Sequence, residues 1–222
     1  MNFNLTDVNG TSNSQPRLKP WEIHDVVFKG VTYNQFSGKK DPNAVYKTMR
    51  VRFENKDGYY EETVWCPKEG DEVRQVNDNG RENPSNLERF KFFLAHLGEQ
   101  LSPEKYAKFK GQSWNLPEDF EKLVTTFAAA MKPAEGKETK LKLIGTKKGE
   151  PCLPYFVNVS KEGAAYISNN FLGGKAFFSP YELETMEKYK NAKPTDMSKK
   201  PVDDLGVDGE ASDTNSDLDF EV

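Results

Sequence analysis

The sequence predicts a mainly β domain interrupted by a helical insertion, an α+β fold, on three observations. Runs of β-branched, aromatic or alternating residues over 21–36, 46–54 and 59–66 are bounded by Gly, Asn and Pro; the apolar period switches to helical spacing between 86 and 131; alternation returns at 139–144. A polar start and an acidic end leave about 175 residues for structure, which suits one domain. The boundaries fall at a disordered arm over 1–16, a domain over 17–193 with its helical insertion at 86–131, and a disordered acidic tail over 194–222. Hydrophobic content is low at 36% while aromatics reach 12%, so the core leans on Phe and Tyr.

In chain order, Trp21 to Phe36 reads as one long strand, bent where Gly30 permits a bulge. Gly38 to Asn43 is a turn cluster that carries Lys39 and Lys40. The second strand, Tyr46 to Glu54, alternates cleanly: Met49, Val51 and Phe53 face one way, Tyr46, Thr48, Arg50 and Arg52 the other. Asn55-Lys-Asp-Gly58 is a hairpin turn with Gly where positive φ is tolerated, leading into a third strand from Tyr59 to Cys66 whose phase the pattern leaves open. Residues 68–85 are a polar loop. Helices follow: one capped by Ser85 or Asn86 and running to Leu101, a short one opened by Ser102-Pro-Glu-Lys, and one opened by Leu116-Pro-Glu-Asp with Phe120, Leu123, Val124, Phe127 and Met131 on its buried stripe. Strand pattern resumes at Thr139 to Ile144, with Leu141 and Leu143 inward and Lys140 and Lys142 outward. A basic hairpin loop bearing Lys147 and Lys148 leads into Leu153 to Val159. A short strand at Lys175 to Phe178 precedes a last helix capped by Ser179, Pro180 to about Asn191.

Three strands, a helical insertion and two strands, with a bent first strand, is the element order of the oligonucleotide/oligosaccharide-binding (OB) five-stranded barrel, which binds ligand across strands two and three between the loops joining one to two and four to five. On that template the candidate DNA-binding residues are Lys39, Lys40, Tyr46, Arg50, Arg52, Tyr59, Trp65, Lys140, Lys142, Lys147, Lys148 and Phe156. Basic residues release counterions from a phosphate chain whatever its sequence, and a base stacked on a ring gains about 1–3 kcal/mol whatever its identity, so the set points to non-specific single-strand binding. Each residue type also has an ordinary explanation: a strand Tyr or Trp is more often core, surface Lys is the default solvated residue, and Glu61 and Glu62 across the hairpin compete for Arg50 and Arg52.

Catalysis and cofactors find little support. Asp57, Glu61 and Glu62 with Glu138-Thr-Lys140 superficially resemble a Mg²⁺-dependent nuclease site, but Asp57 is a turn residue. His24, Cys66, His96 and Cys152 are isolated, so no metal or other cofactor is expected. There is no phosphate-cradling Gly motif or nucleophile elbow, and no apolar run near the roughly 20 residues a bilayer crossing needs. The start lacks the basic and apolar segments of a secretion signal.

The net charge of −4 hides an asymmetry. Residues 201–222 hold eight acidic and no basic side chains, leaving the body with 31 basic and 27 acidic residues, net +4. The tail ends in Leu218, Phe220 and Val222 among Asp217, Asp219 and Glu221, an apolar tip that a purely solubilising tail has no use for. Its carboxylates can contend with DNA for the basic body while the tip docks on a partner.

Leu18-Lys-Pro-Trp-Glu-Ile-His24, Phe53-Glu-Asn-Lys-Asp-Gly-Tyr-Tyr60 and Ala95-His-Leu-Gly-Glu-Gln-Leu101 resemble segments of single-stranded DNA-binding proteins of crAss-like tailed phages, over residues 18 to about 193. The tail is similar to the acidic C-termini of bacterial and phage single-stranded DNA-binding proteins, differing in ending on Glu-Val rather than on the aromatic. The resemblance implies an OB-type fold, a non-catalytic role in phage DNA replication, recombination and repair, and a place in the cytoplasm of the infected host. By position it implies that Asp217, Leu218, Asp219, Phe220 and Glu221 recruit a polymerase, helicase or primase. Other expectations are an OB-like protein-interaction or virion-associated module that binds no DNA, and the nuclease. Homo-oligomerisation stays open.

Overall fold

A computed structural model describes residues 15–38, 41–146, 148–154, 157–167 and 171–191, with the side chains of 190 and 191 left aside. Strands β1 (Glu22–Ser37), β2 (Val45–Asn55) and β3 (Gly58–Trp65) form an antiparallel meander. The minor hairpin β4 (Gln75–Val76) and β5 (Glu82–Asn83) interrupts the expected loop, followed by helices α1 (Asn86–Leu101), α2 (Pro103–Phe109) and α3 (Phe120–Met131). Then come β6 (Glu138–Gly145), β7 (Pro151–Cys152), the hairpin β8 (Val157–Val159) with β9 (Ala165–Ile167), and α4 (Pro180–Asn191). The main sheet runs β3-β2-β1-β6-β7 and is antiparallel throughout.

The sheet curls because β1 belongs to two halves of it. Residues 22–27 pair with β6 and 27–37 with β2, and the register to β2 shifts between Phe28 and Gly30. Gly30 takes φ +124°, a backbone conformation that favours glycine at the bulge. The resulting concave face carries Val26, Phe28, Met49, Val51, Phe53, Leu141 and Leu143, all buried. Against it pack the buried stripes of α1 (Phe90, Phe93, Leu94, Leu97) and α3 (Phe120, Leu123, Val124, Phe127, Met131), together with Phe171 and Leu172. The core is phenylalanine-rich, as composition implied.

Helix α1 starts where expected: Ser85 Oγ accepts the Glu88 amide, Glu88 accepts the Ser85 amide, and Arg74 closes on the same carboxylate, tying the preceding loop to the helix. That arginine, more than burial opposes it, holds the Glu88 carboxyl down at about 2. Four expectations need correction. Helix α3 begins at Phe120 rather than at Leu116, after a turn in which Asp119 accepts the Asn115 amide. Gly58 does not take positive φ; it is needed because a Cβ would run into the Pro16 carbonyl, which accepts the Tyr59 amide as the chain enters beside β3. Of the expected strand 153–159 only Val157–Val159 is strand, as β8, and it pairs with β9; the main sheet ends instead on β7, which comes just before the expected strand. The expected strand at Lys175–Phe178 is absent; pairing beside β6 falls on Phe171 and Gly173, whose backbones bond Lys142 and Lys140.

Helix α4 docks outside β6 through one buried ion pair. Ser179 and Glu182 form a reciprocal cap, and Glu182 also receives both of its short bonds, 2.9 Å each, from Lys142 Nζ, which further donates to the Phe177 carbonyl. Lys142 is only 1% exposed. Among the described residues no helix is long and apolar enough to cross a membrane. Lys142→Ala is expected to destabilise the fold by about 3–5 kcal/mol in urea denaturation, because it strands the Glu182 charge, whereas Lys142→Met with Glu182→Leu should recover most of that loss.

Candidate functional site

Register decides which side chains share the convex face of the meander. Opposite and alternating with Tyr46, Thr48, Arg50, Arg52 and Glu54 of β2 stand Phe36, Asn34 and Thr32 of β1 and Trp65, Thr63, Glu61 and Tyr59 of β3. The third strand, whose phase the pattern left open, thus turns Tyr59 and Trp65 to the side of the arginines. Five of the expected residues, Tyr46, Arg50, Arg52, Tyr59 and Trp65, therefore lie on one surface.

One end of this surface is an aromatic corner. Phe36 and Tyr46, cross-strand partners, stack with centroids 5.7 Å apart, and Trp65 stands edge-on to both at 5.8 and 5.9 Å. Exposures of 40%, 40% and 44% leave a substantial share of each ring in water, unusual for large apolar groups so placed together. Thr48, opposite Trp65, is fully buried on the same face. A planar ring can stack on one wall of this corner while its edge meets the other. Sequence reading missed Phe36. Its signal is its position opposite Tyr46, which appears only once the turn between the first two strands is placed.

Toward the other end lie the cations, and they are paired. Arg50 Nη1 is 3.3 Å from Glu61, which also lies 3.7 Å from Arg52 Nη1; Arg52 Nε bonds Glu54 at 2.7 Å, and Lys29 approaches Glu54 at 3.5 Å. Burial pushes the Glu54 carboxyl up, but the hydrogen bond and charge of Arg52, with Lys29, outweigh it and hold the group below its ordinary value. Of the two competing glutamates, Glu61 takes the arginines and Glu62 faces inward. The Arg52 guanidinium covers the Tyr59 ring at 4.4 Å, so Tyr59, expected as an open stacking platform, is occupied on one side by its own chain.

The expected lysines divide. Lys140 and Lys142 alternate outward as read, but Lys140 pairs with Asp25 at 2.8 Å, and α4 buries Lys142, which cannot meet a ligand while that helix is docked. This corrects the placement of Lys142: strand alternation sets its direction, whereas a distant helix sets its burial. Lys148 is exposed in the β6–β7 turn. Lys39, Lys40, Lys147, Phe156 and the tail residues Asp217, Leu218, Asp219, Phe220 and Glu221 lie outside the described residues. Among those described, the face is a ring-lined surface with neutralised arginines rather than a continuous cationic channel. The carboxylates weighed for a nuclease do not converge, since Glu61 and Glu62 point to opposite sides of β3.

Behind this face, a side chain of β3 reaches the chain that follows β7. Tyr60 of β3 is hydrogen-bonded to the Leu153 backbone just after β7, donates a short hydrogen bond to Glu62, and has Cys152 beside it. Glu62 keeps part of its surface in water, but its carboxyl is packed in, and that desolvation raises it to about 7 despite the Tyr60 hydroxyl, which favours the charged form. Burial likewise pushes the Cys152 thiol up to about 12 and the Cys66 thiol to about 11, so neither is an activated nucleophile.

No protein-family model, curated protein or solved structure matches this chain.

Because the folded-state Glu62 carboxyl lies above its ordinary 4.5, its contribution to stability is full below about pH 4.5 and is lost as pH rises through about 7. Thermal melting of wild type against Glu62→Gln from pH 5 to 8.5 should show the variant gaining relative to wild type as pH increases; parallel curves would refute this.

Proposed function

We propose that this chain binds single-stranded nucleic acid, DNA first, on the convex face of β1, β2 and β3, without catalysis. The observation that carries the reading is the half-exposed corner of Phe36, Tyr46 and Trp65 on the same surface as Arg50 and Arg52. Rings that offer their faces to water, next to guanidinium groups, suit a polymer of alternating bases and phosphates; a duplex hides its base faces and suits the corner poorly. The fold we infer is OB-like: a three-stranded meander, helices, and a strand returning antiparallel to the first half of β1, with Tyr60 of β3 hydrogen-bonded to the Leu153 backbone just after β7. In that fold the ligand lies across strands two and three, where the corner and arginines are.

The resemblance of three segments to phage single-stranded DNA-binding proteins supports a place in phage DNA replication, recombination or repair. The tail, with eight acidic residues, none basic and an apolar tip, completes the proposal as a recruiter of replication enzymes in the host cytoplasm and a competitor for the DNA surface. A second reading, a protein-docking or virion-associated module, draws on the pairing of the arginines on this face with glutamates.

Titrating the protein with oligothymidine at low salt separates the two readings. Stacking in the corner should quench Trp65, the quench should vanish in Trp65→Phe, and Trp65→Ala should weaken binding about 5- to 100-fold. Wild type that neither binds nor quenches would overturn the nucleic-acid reading. Arg50→Ala with Arg52→Ala should make the dependence of affinity on salt shallower; an unchanged slope would place the phosphate path elsewhere. Removing residues 201–222 should tighten binding at low salt, and weaker binding on truncation would refute competition by the tail.

A further inference from the structure

Resting on the reading of the convex face as a nucleic-acid surface, we infer that Glu61 is a built-in stand-in for a backbone phosphate, which an incoming strand displaces from Arg50 and Arg52. Its position motivates the inference. One carboxylate lies 3.3 Å from one guanidinium and 3.7 Å from the next, on residues that alternate outward along β2. Two oxygens sharing a negative charge between two guanidinium forks have the charge and acceptor pattern of a phosphodiester's two non-bridging oxygens.

The ion pairs of this chain fall into two grades, and that of Glu61 belongs to the exchangeable one. Arg74 closes on Glu88 with three hydrogen bonds of 2.5, 3.0 and 3.1 Å, fixing a loop to α1, and Lys142 makes two of 2.9 Å to Glu182, fixing α4 to β6. Those pairs hold elements together. Glu61 joins only neighbouring strands that the backbone ladder already joins, at longer distances, with the arginine side chains 41% and 39% exposed. Exposed pairs of this kind add little to stability. Arg50 Nε is shielded from water and has no hydrogen-bond partner among the described residues, so Glu61 does not satisfy this guanidinium completely.

The consequence is a surface held ready but self-opposed. Without ligand, Glu61 keeps both guanidinium groups extended over the face. With ligand, a phosphate takes its place and Glu61 is left beside an anionic strand, which lowers affinity and speeds release. Counterion release is correspondingly muted, because the arginines are neutralised from within.

The test is a fluorescence titration of the full-length protein with decathymidylate at several salt concentrations. It compares wild type, Glu61→Gln, and Glu104→Gln as a control that removes the same charge from α2. Glu61→Gln should bind about three- to tenfold tighter, with a salt slope steeper by about 0.7, while the control matches wild type. Glu54→Gln, which removes the second carboxylate on Arg52 together with the partner of Lys29, should show a gain of the same sign and serves if Glu61→Gln melts early. If wild type binds and Glu61→Gln binds equally or more weakly, or if the control tightens as much, the inference is overturned and the surface reading stands. If neither wild type nor Glu61→Gln binds, the surface reading falls and takes the inference with it.

Discussion

The bulge at Gly30 is the constraint on which the rest of the molecule depends. A strand of 16 residues cannot stay flat and still serve β6 with its first half and β2 with its second. The left-handed backbone of Gly30 adds one residue to β1 relative to β2 and turns the sheet around the helices. Curling makes one face concave and apolar, filled by phenylalanines of α1 and α3, and makes the other convex and open. The convex face is where Phe36, Tyr46 and Trp65 converge, so the geometry of the candidate site follows from a glycine that carries no functional group.

Charge is used in two ways around that frame. Where an element lacks enough apolar surface to hold itself in place, a tight pair does so: the lysine of β6 clasps the first turn of α4, and Arg74 clasps the capping carboxylate of α1. Such pairs contribute little net stability against an apolar replacement but penalise any arrangement that separates them, so they fix position. On the convex face the Glu61 pairs are longer, their arginines are more exposed, and no element depends on them. Location, rather than residue type, therefore distinguishes a structural lysine such as Lys142 from a surface arginine such as Arg50.

This is also why some of the molecule was legible in its sequence and some was not. The apolar face of β2 needs only a period of two, and α1 only a capping box followed by a helical stripe, so both read correctly from local pattern. The phase of β3 was legible in principle: Asn55 pairs with Gly58 across the two residues Lys56 and Asp57, which sets Tyr59 opposite Glu54 and fixes every residue to Trp65. Burial of Lys142 was not legible, because the helix that covers it lies some forty residues further along the chain. Nor was the loss of the expected strand 153–159 from the main sheet, since β6 pairs instead with β7 and, further along, with Phe171 and Gly173.

Glu61 and Glu62 show how closely folding and the candidate site are interlocked. They are adjacent, yet one lies between arginines in the open and the other against Tyr60 inside, because a strand sends neighbours to opposite faces. A slip of one residue in the β2–β3 register would turn Glu61 and Tyr59 toward the core and Tyr60 and Val64 to water, separating both guanidinium contacts and the Tyr60 bond together. The hairpin turn at 55–58 prevents it: Asn55 Oδ1 accepts the amides of Asp57 and Gly58, and Pro16 seals Gly58 from outside. A turn far from the aromatic corner thus determines which of two like carboxylates lies on the face of the candidate site.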